Sequence, residues 1–393
     1  MFRNILVRYD EIAIKKGNRE WFENILLANI RNSIAEMGSA SKFRGRMLVE
    51  LKSESDLEDA VKRLSFVPGI SSFSPVLKLS RECSWEEIVE KSLVLAKKGL
   101  EEGRTVMKVI CNRPDKSYPG TSIEIQKKLA GEVLSKCENR FKVSMKDYDL
   151  GLEIEIHKSG IFIFNSKLPG IKGLPSGTAG EFLSLLSGGI DSPVASFLCM
   201  RRGARIHYMS FHSPPYTGEE SMKKLIDIAR QLKKFQGSST KLFIAPLIDI
   251  QLLIKARCFE SYRTILFRRM MFKIAEKIAF ENGFTALVTG ESLSQVASQT
   301  IENLTCINDA VKKLPVIRPL ITSEKGETIE IARKIGTFDI SIRNCPDSCT
   351  AFLPKMPLIR GDLEKVEQEE KKLEPEIFDL MESSLKKTRI IDV

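Results

Sequence analysis

Short apolar runs alternate with amphipathic stretches along this chain, and their order divides it into three parts. Asn4 to Tyr9 is apolar and long enough for one strand, and a polar, basic loop through Lys15, Lys16 and Arg19 follows it. From about Asn18 to Met37 the residues Trp21, Ile25, Ala28, Ile30 and Ile34 approximate one helix face, and Asn18 with Glu20 suits a helix start. Met47 to Leu51 reads as strand, Asp56 to Leu64 as a second helix, and Ser71 to Leu79 as strand after the turn at Pro68-Gly69. The pattern is βαββαβ-like, or split βαβ, which makes a ferredoxin-like layer over residues 1–75.

A second α+β unit is expected over residues 76–166. Ser84-Trp85-Glu86-Glu87 resembles a capping box ahead of a helix from Trp85 to Leu100, and Thr105 to Cys111 reads as strand. Lys116 to Gly120 forms a basic loop directly before the helix Ser122 to Cys137, so backbone amides and lysines there could jointly face a phosphate. Leu152 to Ile156 alternates apolar with acidic residues, and Lys158-Ser159-Gly160 joins it to Ile161–Phe164 as a hairpin. Pro169 to Gly177 is rich in Gly and Pro without apolar periodicity and is the best linker candidate.

Beyond it, over residues 174–393, the period changes. Phe182 to Leu186, Arg205 to Phe211, Lys241 to Pro246 and Thr285 to Thr289 are short apolar strands separated by helical stretches, the form of a doubly wound parallel sheet. Such sheets bind ligands beyond the carboxyl ends of their strands. The stretch after Arg360 is charged and reads as helix around Leu363 to Leu373 and Pro375 to Leu385.

Composition narrows the class. A chain of 393 residues exceeds what one core usually serves, and 42% hydrophobic with 28% charged residues suits a globular rather than a disordered protein. No stretch approaches the roughly 20 apolar residues of a membrane helix, and the first charge comes too early for a secretory signal, so the expected location is cytoplasmic, away from membranes. The net charge of +10 suits a polyanionic partner but also an ordinary basic protein, and it is spread over all three parts. Cys83, Cys111, Cys137, Cys199, Cys258 and Cys306 are scattered without metal-ligand spacing and read as packing residues; Cys345 and Cys349 stand close together between prolines.

The chemistry sits at the end of the first C-terminal strand, in Ser187-Gly188-Gly189-Ile190-Asp191-Ser192, followed by the helical run Val194 to Arg202. Glycines let backbone approach phosphate, amides and the helix start supply positive potential, Ser187 and Ser192 add hydroxyls, and Asp191 can hold Mg2+. A plain strand-to-helix turn would also use two glycines, but the full hexad after an apolar run favours a pyrophosphate cradle. No G-x-x-x-x-G-K-[ST] occurs, so the expected cleavage of ATP is between its α and β phosphates.

The hexad resembles the PP-loop of ATP pyrophosphatases, the adenine nucleotide alpha hydrolase-like fold. Together with MSFHSPPYTGEE, LFRRMM, TGESLSQVASQT, RPLI and CPDSCTAFLP it resembles the ThiI family of tRNA 4-thiouridine synthetases, in a form without a C-terminal rhodanese domain. That resemblance implies an N-terminal ferredoxin-like domain, a THUMP domain, ATP and Mg2+ as cofactors, and tRNA as partner. The implied reaction adenylates O4 of a uridine, conventionally position 8, and replaces it with sulfur. It also implies ATP contacts for Leu185, Leu186, Ser187, Gly188, Gly189, Asp191, Ser192, Ser210, Phe211, Arg268, Gly290 and Gln299. Core packing would equally explain Leu185, Leu186 and Phe211, and a solvated helix face would explain Arg268.

Among the catalytic candidates, Lys325 matches a family lysine near the active site, with a surface lysine as the alternative, and Cys349 occupies the place of the family's catalytic cysteine. A persulfide is nucleophilic at neutral pH where a hydroxyl or amine is not. One of Cys345 and Cys349 would carry sulfur delivered by a cysteine desulfurase or another sulfur donor, and the other would resolve it. An iron-sulfur cluster would need a third cysteine, and none is evident. Lys15, Lys16, Arg113, Lys116, Lys127 and Lys128 are the candidate tRNA contacts, each equally able to be a solvated charge. A homodimer sharing one tRNA is the expected assembly. An amidating or lysidine-type ligase, or a tRNA-binding module without catalysis, are the competing classes.

Overall fold

The computed structural model describes residues 2–43, 45–345, 352 and 354–393. Two compact units divide it between Gly173 and Leu174. The first contains β1 (Asn4–Arg8), α1 (Arg19–Ile34), β2 (Gly38–Phe43), β3 (Arg46–Leu51), α2 (Leu57–Leu64), β4 (Ser72–Leu79), α3 (Trp85–Glu101) and β5 (Val106–Asn112). It continues with α4 (Ser122–Lys136), β6 (Lys142–Val143), β7 (Leu150–His157), β8 (Gly160–Phe164) and β9 (Leu168–Pro169).

The stretches read as two separate N-terminal units, residues 1–75 and 76–166, share one sheet, in the order β2-β3-β1-β4-β8-β7-β5-β6 among the described residues. β4 makes the join: Ser72 to Val76 pair with β1, and Leu77 to Leu79 pair with β8. Strand alternation sends Ile5, Val7, Met47 and Val49 into the core under α1 and α2, while Leu6, Leu48, Val76, Phe162 and Phe164 form a smaller cluster of their own. The predicted linker is anchored at its start, where Leu168 and Pro169 pair with Phe73 and Ser72.

Glu155 departs from its expected place. Alternation on β7 would turn it outward with Glu153, yet it is buried, bound by Arg8 Nη2 at 2.9 Å, Arg46 Nε at 3.2 Å and His157 Nε2 at 3.1 Å. Burial alone would push its carboxyl up, but the His157 hydrogen bond and the charges of Arg8 and Arg46 override this and hold it at about 2.

The second unit contains β10 (Glu181–Leu185), α5 (Asp191–Arg201), β11 (Arg205–His212), α6 (Glu219–Lys233), β12 (Lys241–Pro246), α7 (Ile248–Arg257), α8 (Arg263–Glu281) and β13 (Ala286–Val288). There follow α9 (Ile301–Asn308), β14 (Val316–Ile317), α10 (Lys325–Lys334), α11 (Phe338–Ser341), α12 (Leu363–Lys371), α13 (Glu376–Lys386) and β15 (Arg389–Asp392). The sheet order is β14-β13-β10-β11-β12-β15. The four strands expected to form a doubly wound parallel sheet are all parallel, β14 extends it in the same sense, and β15, not foreseen, adds an antiparallel edge beside β12.

The charged C-terminal stretch is built into the core. Val366, Leu373 and Ile377 are buried with α8, and Arg269, 3% exposed, reaches Glu370 at 2.5 Å and Asp309 at 3.2 Å. Of the six scattered cysteines, all but the half-buried Cys83 are buried, as packing residues should be.

Candidate active site

β10 delivers the chain to the loop, and α5 carries it away. Ser192 Oγ accepts from the Ser187 amide at 2.9 Å and lies 3.0 Å from Ser187 Oγ, while the Gly189 amide donates to Ser187 Oγ at 3.3 Å. The two serines thus close the loop on itself. Ile190 at the N-cap has no side-chain acceptor for the first amides of α5, which leaves that end suited to an anion. Two residues beyond the neighbouring strand β13, Gly290 lies so close to the loop that a Cβ would be 2.6 Å from the Ser192 amide nitrogen. Only glycine lets the two backbones meet there.

Leu185, Leu186, Ser187, Asp191, Ser192, Ser210, Phe211, Arg268, Gly290 and Gln299 line one cavity of about 220 Å³. Gly188 and Gly189 line an adjoining cavity with Cys345, and Ser210 and Phe211 border both. The loop therefore stands between a chamber of nucleotide candidates and a chamber holding a cysteine. Cys349 lies outside the described residues.

Lys325 is no free surface lysine: its Nζ donates to Asp191 Oδ1 at 2.6 Å, and Gln295 Nε2 donates to Asp191 Oδ2 at 3.0 Å. The paired arginines of α8 part company. Arg269 turns inward, whereas Arg268 reaches Glu291 at 2.6 Å and Ser298 Oγ at 3.1 Å at the cavity wall. Glu291, 1% exposed, also holds Arg318 Nε at 2.6 Å and accepts from Thr289 Oγ1 at 2.9 Å. Sequence reasoning passed over Glu291, Arg318, Gln295 and Lys224. The available signal was a carboxylate directly after Gly290 at the carboxyl end of a strand.

Residues 177–374 match the family described as "Thiamine biosynthesis protein (ThiI)", residues 4–74 its ferredoxin-like domain, and residues 82–165 the THUMP domain. A "Probable tRNA sulfurtransferase" of Thermoanaerobacter sp. (strain X514) is 42% identical over 372 residues, 94% of this chain and 95% of that one. The chain belongs to the ThiI family. A second ThiI relative, the "Probable tRNA sulfurtransferase" of Moorella thermoacetica, is 40% identical and covers 100% of this chain and 98% of its own length. A crystal structure of a 4-thiouridine synthetase bound to RNA and ATP superposes with a TM-score of 0.91 at 37% identity, covering 100% of both chains.

The basic candidates of this ThiI-family chain differ in how free they are. Lys16, Lys116, Lys127 and Lys128 are exposed, with Lys128 Nζ 4.2 Å from the Trp85 ring centre, and Lys15 is half-buried near Phe22. Arg113 Nη1 donates to the carbonyls of Lys116 and Tyr118 at 2.8 Å each, so part of its guanidinium shapes its own loop. The start of α4 is not an open phosphate site as expected: Thr121 and Glu124 form a capping box that occupies its amides with a carboxylate alongside. Among the described residues no helix is long and apolar enough to cross a membrane, and no group of three His, Cys, Asp or Glu side chains could hold a metal.

Proposed function

We propose that this chain is an ATP-dependent tRNA sulfurtransferase that converts uridine, conventionally at position 8, to 4-thiouridine. The observation that carries this reading is the single loop bordered by the nucleotide candidates on one side and Cys345 on the other. Uridine O4 attacks the α-phosphorus of ATP, and pyrophosphate leaves into the loop's amides and the start of α5. Arg268, fixed by Glu291, faces the charge that develops on the phosphate. Mg2+ commonly takes one or two protein carboxylates plus substrate phosphates, so Asp191 alone suffices to fit it, in exchange for Lys325.

The terminal sulfur of a cysteine persulfide then attacks C4 and displaces AMP. The second cysteine attacks the bridging sulfur, which leaves the thiocarbonyl on the base and a Cys345–Cys349 disulfide that an external thiol reduces. The outer sulfur comes as sulfane sulfur from the persulfide of a cysteine desulfurase, or from inorganic sulfide that attacks the Cys345–Cys349 disulfide, which is the two-electron oxidant and releases the other cysteine as a thiol. Cys349→Ser should abolish thiouridine while tRNA binding and the pyrophosphate release that accompanies adenylation persist. Full thiouridine formation by that variant, read by nucleoside mass spectrometry, would refute the cysteine's role.

A further inference from the structure

Beside the loop, α6 carries a polar rail that the reaction scheme does not use. Lys224 is 7% exposed, and its Nζ donates to the Arg343 carbonyl at 2.8 Å. One turn on, Asp227 Oδ2 receives Arg343 Nη1 at 2.5 Å, and a further turn on, Gln231 Nε2 donates to the Ile335 carbonyl at 2.7 Å. Spacings of three and four residues put these side chains on one helix face. That face anchors the chain on both sides of α11, and its last anchor, Arg343, stands two residues before Cys345.

The same Lys224 stem packs on the loop. A Cβ at Gly188 would lie 3.4–3.5 Å from its Cδ, Cε and Nζ. A methionine would fill this space without burying a charge, and buried charge is costly unless bonded, so the ammonium is there for its hydrogen bond. One side chain therefore touches the phosphate-binding loop with its stem and the base of the cysteine segment with its tip, and it borders the cavity that contains Cys345.

We infer that Lys224 is a positioning residue for sulfur transfer: with Asp227, it sets where the Cys345 segment begins relative to Gly188. This rests on the sulfurtransferase reading. Adenylation needs the loop and ATP, whereas sulfur transfer also needs the cysteine segment in register, so the two half-reactions should separate when the anchor is removed.

The test compares wild type, Lys224→Met and Asp227→Asn in the full chain, with thermal melting to confirm folding. Thiouridine formation should fall ~10–100-fold in Lys224→Met and less in Asp227→Asn, while KM for ATP in pyrophosphate release stays within about twofold. Alkylation of Cys345 by iodoacetamide, resolved by peptide mass spectrometry, should speed up in both variants, because a released segment exposes its thiol. Wild-type thiouridine rates in Lys224→Met would overturn the inference, as would an unchanged Cys345 alkylation rate. A raised KM for ATP would also overturn it, because the ammonium would then be gripping phosphate. If the wild type makes no thiouridine, the functional reading fails instead, and the alkylation rates still decide whether Lys224 holds the segment.

Discussion

Gly290 and Glu155 show how single residues set the two halves of this chain. Gly290→Ala would drive a methyl into the Ser192 amide, which is backbone and cannot rotate away. The PP-loop must then shift, and ATP-dependent AMP release should fall ~100-fold with little change in melting temperature. Glu155 makes a prediction about pH. Its folded carboxyl, held at about 2, lies below the unfolded value, so the stability it contributes is present above about pH 4.5 and is lost as pH falls towards 2. Glu155→Gln should cost on the order of 3 kcal/mol at neutral pH and flatten the acid limb of a urea-melt series over that window. An unchanged acid limb would mean that other carboxylates dominate. The burial of Glu155 was not legible in the sequence, and Lys325 was reached only through the family resemblance, without its partner Asp191. Alternation assigns a face and not a partner, and Lys325 meets the loop only through a contact spanning 134 positions.

Among elements, those with a long period were read closely. α3 begins at Trp85 with the expected Ser84–Glu87 box, and β12 spans Lys241–Pro246 as expected. β14 and β15 were passed over, because two and four residues hold too few alternations to distinguish strand from loop. β2 was missed for a different reason: Gly38-Ser39-Ala40-Ser41 is polar and small, and it becomes a strand by pairing with β3. The helices α12 and α13 read in sequence only as charged helical stretches, yet α12 is fastened to α8 through Arg269 and Glu370, and α13 through Lys277 and Glu382. Replacing Arg269 with Met should leave Glu370 and Asp309 without that partner and lower the stability of the second unit by about 3–5 kcal/mol in denaturant melts. A loss under about 1 kcal/mol would show the pair to be superficial.

At the scale of the whole molecule, the break between the two compact units, after Gly173, falls inside the Gly- and Pro-rich stretch Pro169 to Gly177. What sequence could not show is that the ferredoxin-like and THUMP stretches share a sheet through β4, since one strand serving two neighbours looks like any other strand. A basic chain of net charge +10 should bind tRNA with affinity that falls steeply as salt rises. Joint replacement of Lys116, Lys127 and Lys128 with Gln should reduce the slope of log affinity against log salt by about 2–3, since each phosphate contact contributes roughly 0.7–0.9. An unchanged slope would place the RNA elsewhere. The central claim is that the loop from Ser187 to Ser192 activates a tRNA uridine for sulfur. It is tested most directly by mass spectrometry of nucleosides from unmodified tRNA incubated with the protein, ATP, Mg2+ and sulfide. The account predicts 4-thiouridine that disappears when ATP is omitted; uridine left unchanged, or a nitrogen-containing product in its place, would contradict it.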